Sequence, residues 1–334
     1  MTRFERFAWA FLAYLFAVIL FGAWVRISGS GAGCGNHWPL CQGDVVPVAP
    51  SAKTIIEFSH RLTSGLSGLF GLALVVWAWR LAYARGSEPS RDRKGAVYNS
   101  SESALDRRVF PTSLVMLALL LLEGFIGAVL VKKELVAGDA STSRAIVVAL
   151  HLCNTLLLTA SAAAMAWWAG ERRRANIATS SGLAPSKAIL AAMIVLLIAT
   201  NATGAVTALG DTLFPMQPAL DGGLLANVRE QLSPAHHFLV RLRIVHPLVA
   251  MLSVVLVGGA LLRLMQLSKL RLLKSSLHAV AGQAALGFLN IALGAPAWMQ
   301  ILHLLAAQVV WVLVFLSVTE LWETPGALPP ESGA

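Results

Sequence analysis

Charged residues are scarce in this chain. Only 13% of its 334 residues are Asp, Glu, Lys or Arg, whereas 57% are hydrophobic. A water-soluble domain carries nearer to a quarter charged residues, so this composition indicates an integral membrane protein. The sequence also lacks a phosphate-binding loop, a nucleophile elbow and a dinucleotide fingerprint, so it gives no motif of a nucleotide-dependent enzyme or a serine hydrolase.

The hydrophobic residues occur in long continuous runs. A membrane-spanning helix needs about 20 apolar residues, and on that basis the sequence predicts an all-α membrane protein with eight transmembrane helices. The predicted spans are 7–27, 55–80, 110–131, 145–169, 187–208, 236–262, 273–294 and 298–321. The first run resembles a signal peptide, but it is longer than a usual one and seven more spans follow, so we expect it to be a helix of the protein.

The positive charges are placed mainly on one side of this topology. The net charge of +9 could suggest a nucleic-acid partner. However, most basic residues precede the first span or fall between spans two and three, four and five, or six and seven. The positive-inside rule makes that side cytoplasmic. The sequence therefore predicts a multi-pass protein of the cell membrane with both termini in the cytoplasm, in contact with membrane lipid and not with nucleic acid.

The two halves of the chain look like a weak internal repeat. Short matches recur in the same order: Gly22-Ala23 with Gly204-Ala205, His60-Arg61-Leu62 with His246-Pro247-Leu248, Glu123 and Gly127 with Gln283 and Gly287, and His151-Leu152 with His303-Leu304. Each match is weak by itself, but their shared order is typical of membrane proteins built by duplication. We therefore predict one four-helix bundle over residues 1–170 and a second over 187–322.

Four histidines recur at a similar depth on alternate helices. His60, His151, His246 and His303 each fall roughly five to ten residues past the outer end of a span, about 8–15 Å deep at 1.5 Å per residue. A lone histidine in a membrane helix is more often a hydrogen-bonded packing residue. Four of them, two in each half, match the need of two bis-histidine haem sites, because neutral imidazole is a strong iron ligand and apolar helices can hold a porphyrin.

One acidic residue accompanies the first of these histidines. Glu57 and His60 are three residues apart, so on a helix they share a face. A carboxylate in a membrane helix is costly and indicates a functional site; the alternative is that Glu57 only interacts favourably with the helix dipole. Arg243 stands three residues before His246, so the acid belongs to one half only.

Three arginines lie near the outer boundary of the predicted spans. Arg26, Arg241 and Arg243 could pair with haem propionates through charge-assisted hydrogen bonds. The alternative is that their long side chains extend to the membrane interface without binding a ligand.

The first outer loop holds two of the three cysteines. Its glycines and proline exclude a helix between Ser28 and Cys41. Disulfides persist outside the cytoplasm, and Cys34 and Cys41 are the only cysteines there, so a disulfide between them is favoured. A zinc site that uses His37 is the weaker alternative, because four good ligands are lacking. Cys153, inside the fourth span, is predicted to be a packing residue.

In combination, these residues resemble the haem A synthase family. The similarity covers nearly the whole chain. It includes Gly29-Ser30-Gly31 with Cys34 and Cys41, the run Glu57-Phe58-Ser59-His60-Arg61, His151-Leu152, and Ala295-Pro296-Ala297-Trp298 followed by His303-Leu304. The combination is specific, whereas no single piece is. The chain departs from the family where Pro247 replaces a common arginine and where Glu123 replaces a common glutamine.

The resemblance implies a reaction and a role for each site residue. The reaction is oxidation of a methyl group of haem O to the formyl group of haem A, through a geminal diol that loses water, for the biogenesis of terminal oxidases. His60 and His151 would flank the substrate haem O, with Glu57 as the catalytic acid. His246 and His303 would ligate a haem b. The implied partners are haem O synthase and cytochrome oxidase assembly, and a homo-oligomer is left open.

Two other functions are compatible with parts of the sequence. A non-enzymatic di-haem electron carrier would use the same histidines, hold two haems of one unmodified type and form no product. A transporter with an inverted repeat fits poorly, because each half has an even number of spans and the repeats are therefore parallel.

Overall fold

The computed structural model describes residues 1–83, 106–170, 185–215, 229 and 231–322. In this part of the chain the secondary structure is helical and no β-strand is formed. The helices are α1 (Arg3–Ile27), α2 (Ala52–Tyr83), α3 (Val109–Lys132), α4 (Thr142–Trp168), α5 (Lys187–Leu213), α6 (Phe238–Leu242), α7 (Val245–Leu267), α8 (Arg271–Ala292) and α9 (Ala297–Trp322). The predicted all-α fold is confirmed. Most of the basic residues that the sequence places between spans two and three and between spans four and five lie outside the described residues.

Seven helical segments in the described ranges are long and apolar enough to cross a membrane, with α6 and α7 counted as one span, Phe238–Leu267. The eighth predicted span is α8. Its 22 residues would reach about 33 Å at 1.5 Å per residue. It is more polar than the others, because it begins with Arg271 and Lys274 and carries Gln283 further along. The prediction of a membrane protein is therefore confirmed. The eighth predicted helix is present, but its composition is less typical of a membrane span.

The sixth predicted span is interrupted near its start. α6 ends at Leu242 and α7 begins at Val245. Pro247 lies in the first turn of α7, where a missing backbone N–H is tolerated because that group has no partner inside the helix. The interruption leaves Arg243 between the two helices, where its side chain reaches back to the end of α5.

Helix contacts close two rings of four. In the first half, α1 contacts α2, α2 contacts α3, α3 contacts α4, and α4 contacts α1. In the second half, α5, α7, α8 and α9 contact one another in the same cyclic order. The rings meet where α1 and α4 pack against α5 and α9. A repeat of two four-helix units stays a prediction, and this contact order is the one that such a repeat would give.

The junction between the rings is packed through the small side chains of α4. Buried alanines predominate between Ala160 and Ala166, and small residues let membrane helices approach closely. Trp311 of α9 is buried against this helix and donates its indole N–H to the carbonyl of Leu156 at 2.8 Å. The hydrophobic core is thus continuous across the two halves.

Candidate functional site

The segment between α1 and α2, residues 28–51, is called the disulfide loop here because Cys34 and Cys41 are bonded to each other in it. Both cysteines are buried. The predicted disulfide is therefore present. It leaves neither sulfur as a thiolate, so the zinc site considered around His37 has lost two of its ligands.

The disulfide loop is fixed to α2 by Glu57. This carboxylate is buried, with 3% of the residue exposed. Its Oε2 accepts the backbone N–H of Cys34 at 2.8 Å, and its Oε1 accepts from Nε of Arg61 at 3.1 Å. Arg61 also donates to the carbonyls of His37 and Leu40. The buried charge is thus paired and hydrogen-bonded, as such a charge must be to remain ionised in an apolar setting.

His60 lies on the same helix as Glu57 but contacts different neighbours. Its ring packs against α1, edge to face with Phe21 at a centroid distance of 5.5 Å. A Cβ atom placed on Gly22 would lie 3.2 Å from Cε1 of His60, so only glycine leaves the ring its present position. Nδ1 of His60 is buried and has no hydrogen-bond partner among the described residues. The ring is within electrostatic range of His151.

His151 is accompanied by a carboxylate that the sequence analysis did not select as a site residue. Nδ1 of His151 lies 3.2 Å from Oε1 of Glu123 on α3. The same carboxylate accepts hydrogen bonds from the amide of Asn154, at 2.5 Å, and from the hydroxyl of Thr155. Glu123 is the only charged residue between Val109 and Val131. A lone carboxylate in the middle of a span is costly, and that signal could have identified it.

His246 and His303 face each other in the second half. Their ring centroids are 6.4 Å apart and their planes are inclined at 80°. Nδ1 of His246 is 3.1 Å from the carbonyl of Thr200, an acceptor that fixes the proton on Nδ1 and leaves Nε2 free to bind a metal. Nε2 of His303 is 3.2 Å from the amide nitrogen of Gln283, the repeat counterpart of Glu123.

The distance between the ring centroids of this second pair is close to that of two imidazoles on one iron, while Nε2 of His303 is engaged by Gln283. A metal–imidazole bond is about 2 Å long and the ring centre lies roughly 1 Å further on, so rings on opposite sides of one metal have centroids about 6 Å apart. Two glycines make room for the rings. A Cβ on Gly204 would lie 3.0 Å from Cε1 of His246, and one on Gly287 would lie 3.1 Å from Cε1 of His303.

Arg26 joins the two halves at this end of the bundle. It belongs to α1, yet its guanidinium donates to the carbonyl of Ala208 and the hydroxyl of Thr212, both on α5. It also donates to Oε1 of Gln300 on α9 at 3.2 Å. Its hydrogen bonds therefore connect the helix that packs against His60 with the two helices that flank the second histidine pair.

Arg243 is likewise engaged by protein groups, whereas Arg241 is exposed. Nε of Arg243 lies 2.8 Å from Oδ1 of Asp211, and its Nη2 donates to the carbonyls of Gly210, at 2.8 Å, and of Phe214. The side chain of Arg241 makes no hydrogen bond or ion pair among the described residues, and only its backbone N–H donates, to the carbonyl of His237. Of the three arginines proposed for propionates, Arg241 is the one whose charged group is not already used by the fold.

The comparison with known families decides the relationship of this chain. The family described as "Cytochrome oxidase assembly protein", COX15-CtaA, matches residues 5–315. The chain belongs to the COX15-CtaA family. Two proteins named "Heme A synthase" match it over shorter stretches. One, from Alkalihalophilus pseudofirmus, is 54% identical over 63 residues, 19% of this chain and 21% of that protein. The other, from Geobacillus kaustophilus, is 55% identical over 69 residues, 21% of this chain and 22% of that protein.

Another relative matches almost the whole length of this chain. A protein of Thermus thermophilus named "Protoheme IX farnesyltransferase" is 42% identical over 327 residues, which is 96% of this chain and 49% of that protein. The chain thus spans about half the length of this relative. The resemblance to the haem A synthase family that its residues indicated is confirmed.

Proposed function

We propose that this chain is a haem A synthase, a membrane oxidoreductase that converts a methyl group of haem O to the formyl group of haem A. The observation that carries the proposal is the asymmetry between its two histidine pairs. Both pairs have the residues that a haem requires, but only the first is adjacent in sequence to a buried carboxylate fixed by a disulfide-bonded loop. Relatives named for haem A synthesis support the same activity.

The second pair is proposed to hold haem b. His246 and His303 would hold its iron, and their ring centroids lie 6.4 Å apart. When bound, haem b would supply one-electron transfer. The hydrogen bond from Nδ1 of His246 to Thr200 orients the imidazole and raises the basicity of its other nitrogen. Arg241 is the remaining candidate for a propionate contact.

The first pair is proposed to bind the substrate. His60 and His151 would flank haem O, and the buried, unpartnered Nδ1 of His60 shows polar capacity that the described part of the protein does not satisfy. Oxidation would proceed stepwise through an alcohol and a geminal diol that loses water, with the oxygen atom taken from water and the four electrons passed to an electron acceptor outside this chain. The N-terminal bundle, residues 1–170, would then be the substrate domain, and the C-terminal bundle, residues 187–322, the haem b domain.

Glu57 is proposed to act near the reacting methyl group. Its carboxylate can accept a proton or stabilise positive charge that develops during oxidation. The N–H of Cys34 and the guanidinium of Arg61 hold both carboxylate oxygens, so the position of the acid is set by the disulfide loop. The correct position of the Glu57 carboxylate would therefore depend on the correct conformation of the disulfide loop.

The orientation in the membrane follows from the basic residues. We propose that the disulfide loop lies outside and both termini lie in the cytoplasm, as the positive-inside rule predicts. Haem O synthase and the assembly of cytochrome oxidase are the proposed partners, in agreement with the description of the family.

Two other activities are distinguished from this proposal by specific observations. A non-enzymatic di-haem carrier would use both histidine pairs alike, whereas only the first is adjacent in sequence to a buried carboxylate, which the fold also uses to fix the disulfide loop. Farnesyl transfer is suggested by the name of the Thermus relative, but this chain covers 49% of that protein, so the named activity can reside in the remainder.

The test is the pigment content of membranes that contain this protein and a supply of haem O. Haem A should accumulate and should disappear when His60 is replaced by Ala. The purified protein should retain a haem b that the same substitution does not remove. Two unmodified haems with no haem A would establish the carrier instead, and conversion of haem B to haem O by this chain alone would establish the transferase.

A further inference from the structure

The two histidine-bearing helices α4 and α9 are each met by a polar residue from the helix before them, and these two residues differ in charge. Oε1 of Glu123 on α3 lies 3.2 Å from Nδ1 of His151. Gln283 occupies the corresponding place on α8, with its amide nitrogen 3.2 Å from Nε2 of His303. An ionised carboxylate can only accept hydrogen bonds, whereas the nitrogen of an amide can donate them. The two contacts differ both in charge and in the ring nitrogen involved: the carboxylate lies beside Nδ1 of His151, whereas the amide lies beside Nε2 of His303.

The surroundings of Glu123 direct its charge toward His151. Asn154 donates to Oε2, and Thr155 donates to Oε1. Asn154 is itself anchored by donating to the carbonyl of Leu119 at 2.9 Å. These contacts fix the carboxylate beside the ring, and no salt bridge from a lysine or arginine to Glu123 is formed in the part of the chain that the structure describes. The imidazole is thus the group best placed to share its charge.

A carboxylate beside a ligating imidazole favours positive charge on the ring and strengthens the donation of the nitrogen that binds the metal. Oε1 of Glu123 is at ion-pair distance from Nδ1 of His151, 3.2 Å, and that nitrogen has no other polar partner among the described residues. At a haem, greater donation from the axial ligand stabilises the oxidised iron and lowers its reduction potential, since axial ligation and hydrogen bonding to the ligands are among the factors that set that potential. A neutral amide provides no such charge.

We propose that Glu123 is a positioning residue that makes His151 a stronger electron donor to the iron of the first half than His303 is to the iron of the second. This rests on the proposed function, because it requires a haem on His151. The inference extends that function by assigning different reduction potentials to the two histidine sites. The Glu123 site is set for the oxidation of substrate, and the Gln283 site is set for electron transfer at a higher potential.

The experiment is a redox titration of the full-length protein loaded with haem, followed by its absorption spectrum. Glu123→Gln gives the first half the residue of the second, with little change in volume. One haem couple should then shift to higher potential, by at least tenfold in its reduced-to-oxidised ratio at a fixed potential, or about 59 mV for one electron. The other couple should not move. Gln283→Glu places a carboxylate beside the ring of His303 and should shift the second couple downward.

The outcomes separate this inference from the proposed function. If Glu123→Gln keeps both haems and neither potential changes, the role of Glu123 is refuted, while haem binding by His60 and His151 stands. If His60→Ala and His151→Ala leave both haem spectra unchanged, the substrate site itself is elsewhere and both proposals are wrong. If Glu123→Gln fails to fold, an unchanged potential in Gln283→Glu refutes the inference by itself.

Discussion

The carboxylate of Glu57 accepts the backbone N–H of Cys34 at 2.8 Å, and both residues are buried. Cys34, one of the two disulfide-bonded cysteines, is therefore hydrogen-bonded through its main chain to the proposed catalytic acid. The contact gives Glu57 a structural role beside its proposed chemical one. Its two roles can be separated only by a variant that disturbs one of them.

Glu57→Gln should retain the fold and bound haem but form little haem A. The amide oxygen can still accept the N–H of Cys34, whereas the negative charge is lost. Arg61→Gln is the matched control, since it leaves the carboxylate and removes its ion pair. We expect the control to cost about 1.5–3 kcal/mol of stability, in the range of hydrogen bonds to charged groups, and to keep measurable haem A. Normal haem A from Glu57→Gln, determined in isolated membranes, would remove this residue from the mechanism.

Thiol labelling checks the disulfide in the intact protein. Replacing Cys153 by Ser leaves only Cys34 and Cys41, so all remaining labelling reports on the loop. We expect both to react only after a reductant is added, because oxidised sulfur has no free thiol. Equal labelling with and without reductant, measured by mass spectrometry of the denatured protein, would contradict the bond.

Removal of either ligand of the second pair should abolish a low-spin haem. His246→Ala or His303→Ala takes away one of two imidazoles whose centroids are 6.4 Å apart, so the haem should become high-spin or be lost, and haem A should fall with it. Absorption and EPR spectra of the purified protein give the spin state. A low-spin signal that is unchanged in both variants would place the ligands elsewhere.

Two glycines on α8 give a matched pair of variants. A Cβ on Gly287 would lie 3.1 Å from Cε1 of His303, whereas one on Gly282 would meet nothing within 4 Å among the described residues. Gly287→Ala should therefore displace the imidazole and weaken haem retention. Gly282→Ala should retain haem and favour the helix by roughly 0.5–1 kcal/mol. Similar haem content in both purified variants would show that the ring has room to move.

The three outer arginines should divide into structural and ligand-binding residues. Arg26→Gln removes hydrogen bonds that cross between the halves, so the thermal unfolding temperature should fall. Arg241→Gln alters an exposed side chain and should change stability by no more than about 0.5 kcal/mol, while haem is retained less firmly. Thermal unfolding and haem titration of both variants provide the comparison. A stable Arg26→Gln protein would show that the junction does not depend on this residue.

Much of the fold could be predicted because hydrophobic runs such as that of α3 are long and interrupted by few charges. The sequence does not reveal the interruption before Val245, because the apolar pattern continues from α6 into α7. α8 was predicted from its apolar stretch, although Arg271 and Lys274 dilute it. Hydrophobicity thus located the helices better than it located their ends.

The site was predictable only where a residue type carries its own signal. His246 and His303 were selected by depth and repetition, and the structure brings their rings together. Sequence spacing could not show that Arg243 pairs with Asp211, because that contact depends on how α5 packs against α7. Nor could it show that Glu123 reaches His151, since the two residues lie on separate helices.

Arg26 also bears on how a duplicated protein keeps its halves distinct. It stands four residues after Gly22, and its acceptor Ala208 stands four residues after Gly204, so the two occupy equivalent positions of the proposed repeat. The acceptor is a backbone carbonyl, so the divergence at this position lies in the arginine alone. Two copies of the first half would bring two arginines together at the same junction, an arrangement opposed by like-charge repulsion. The junction between one half with arginine and one half with alanine avoids that repulsion.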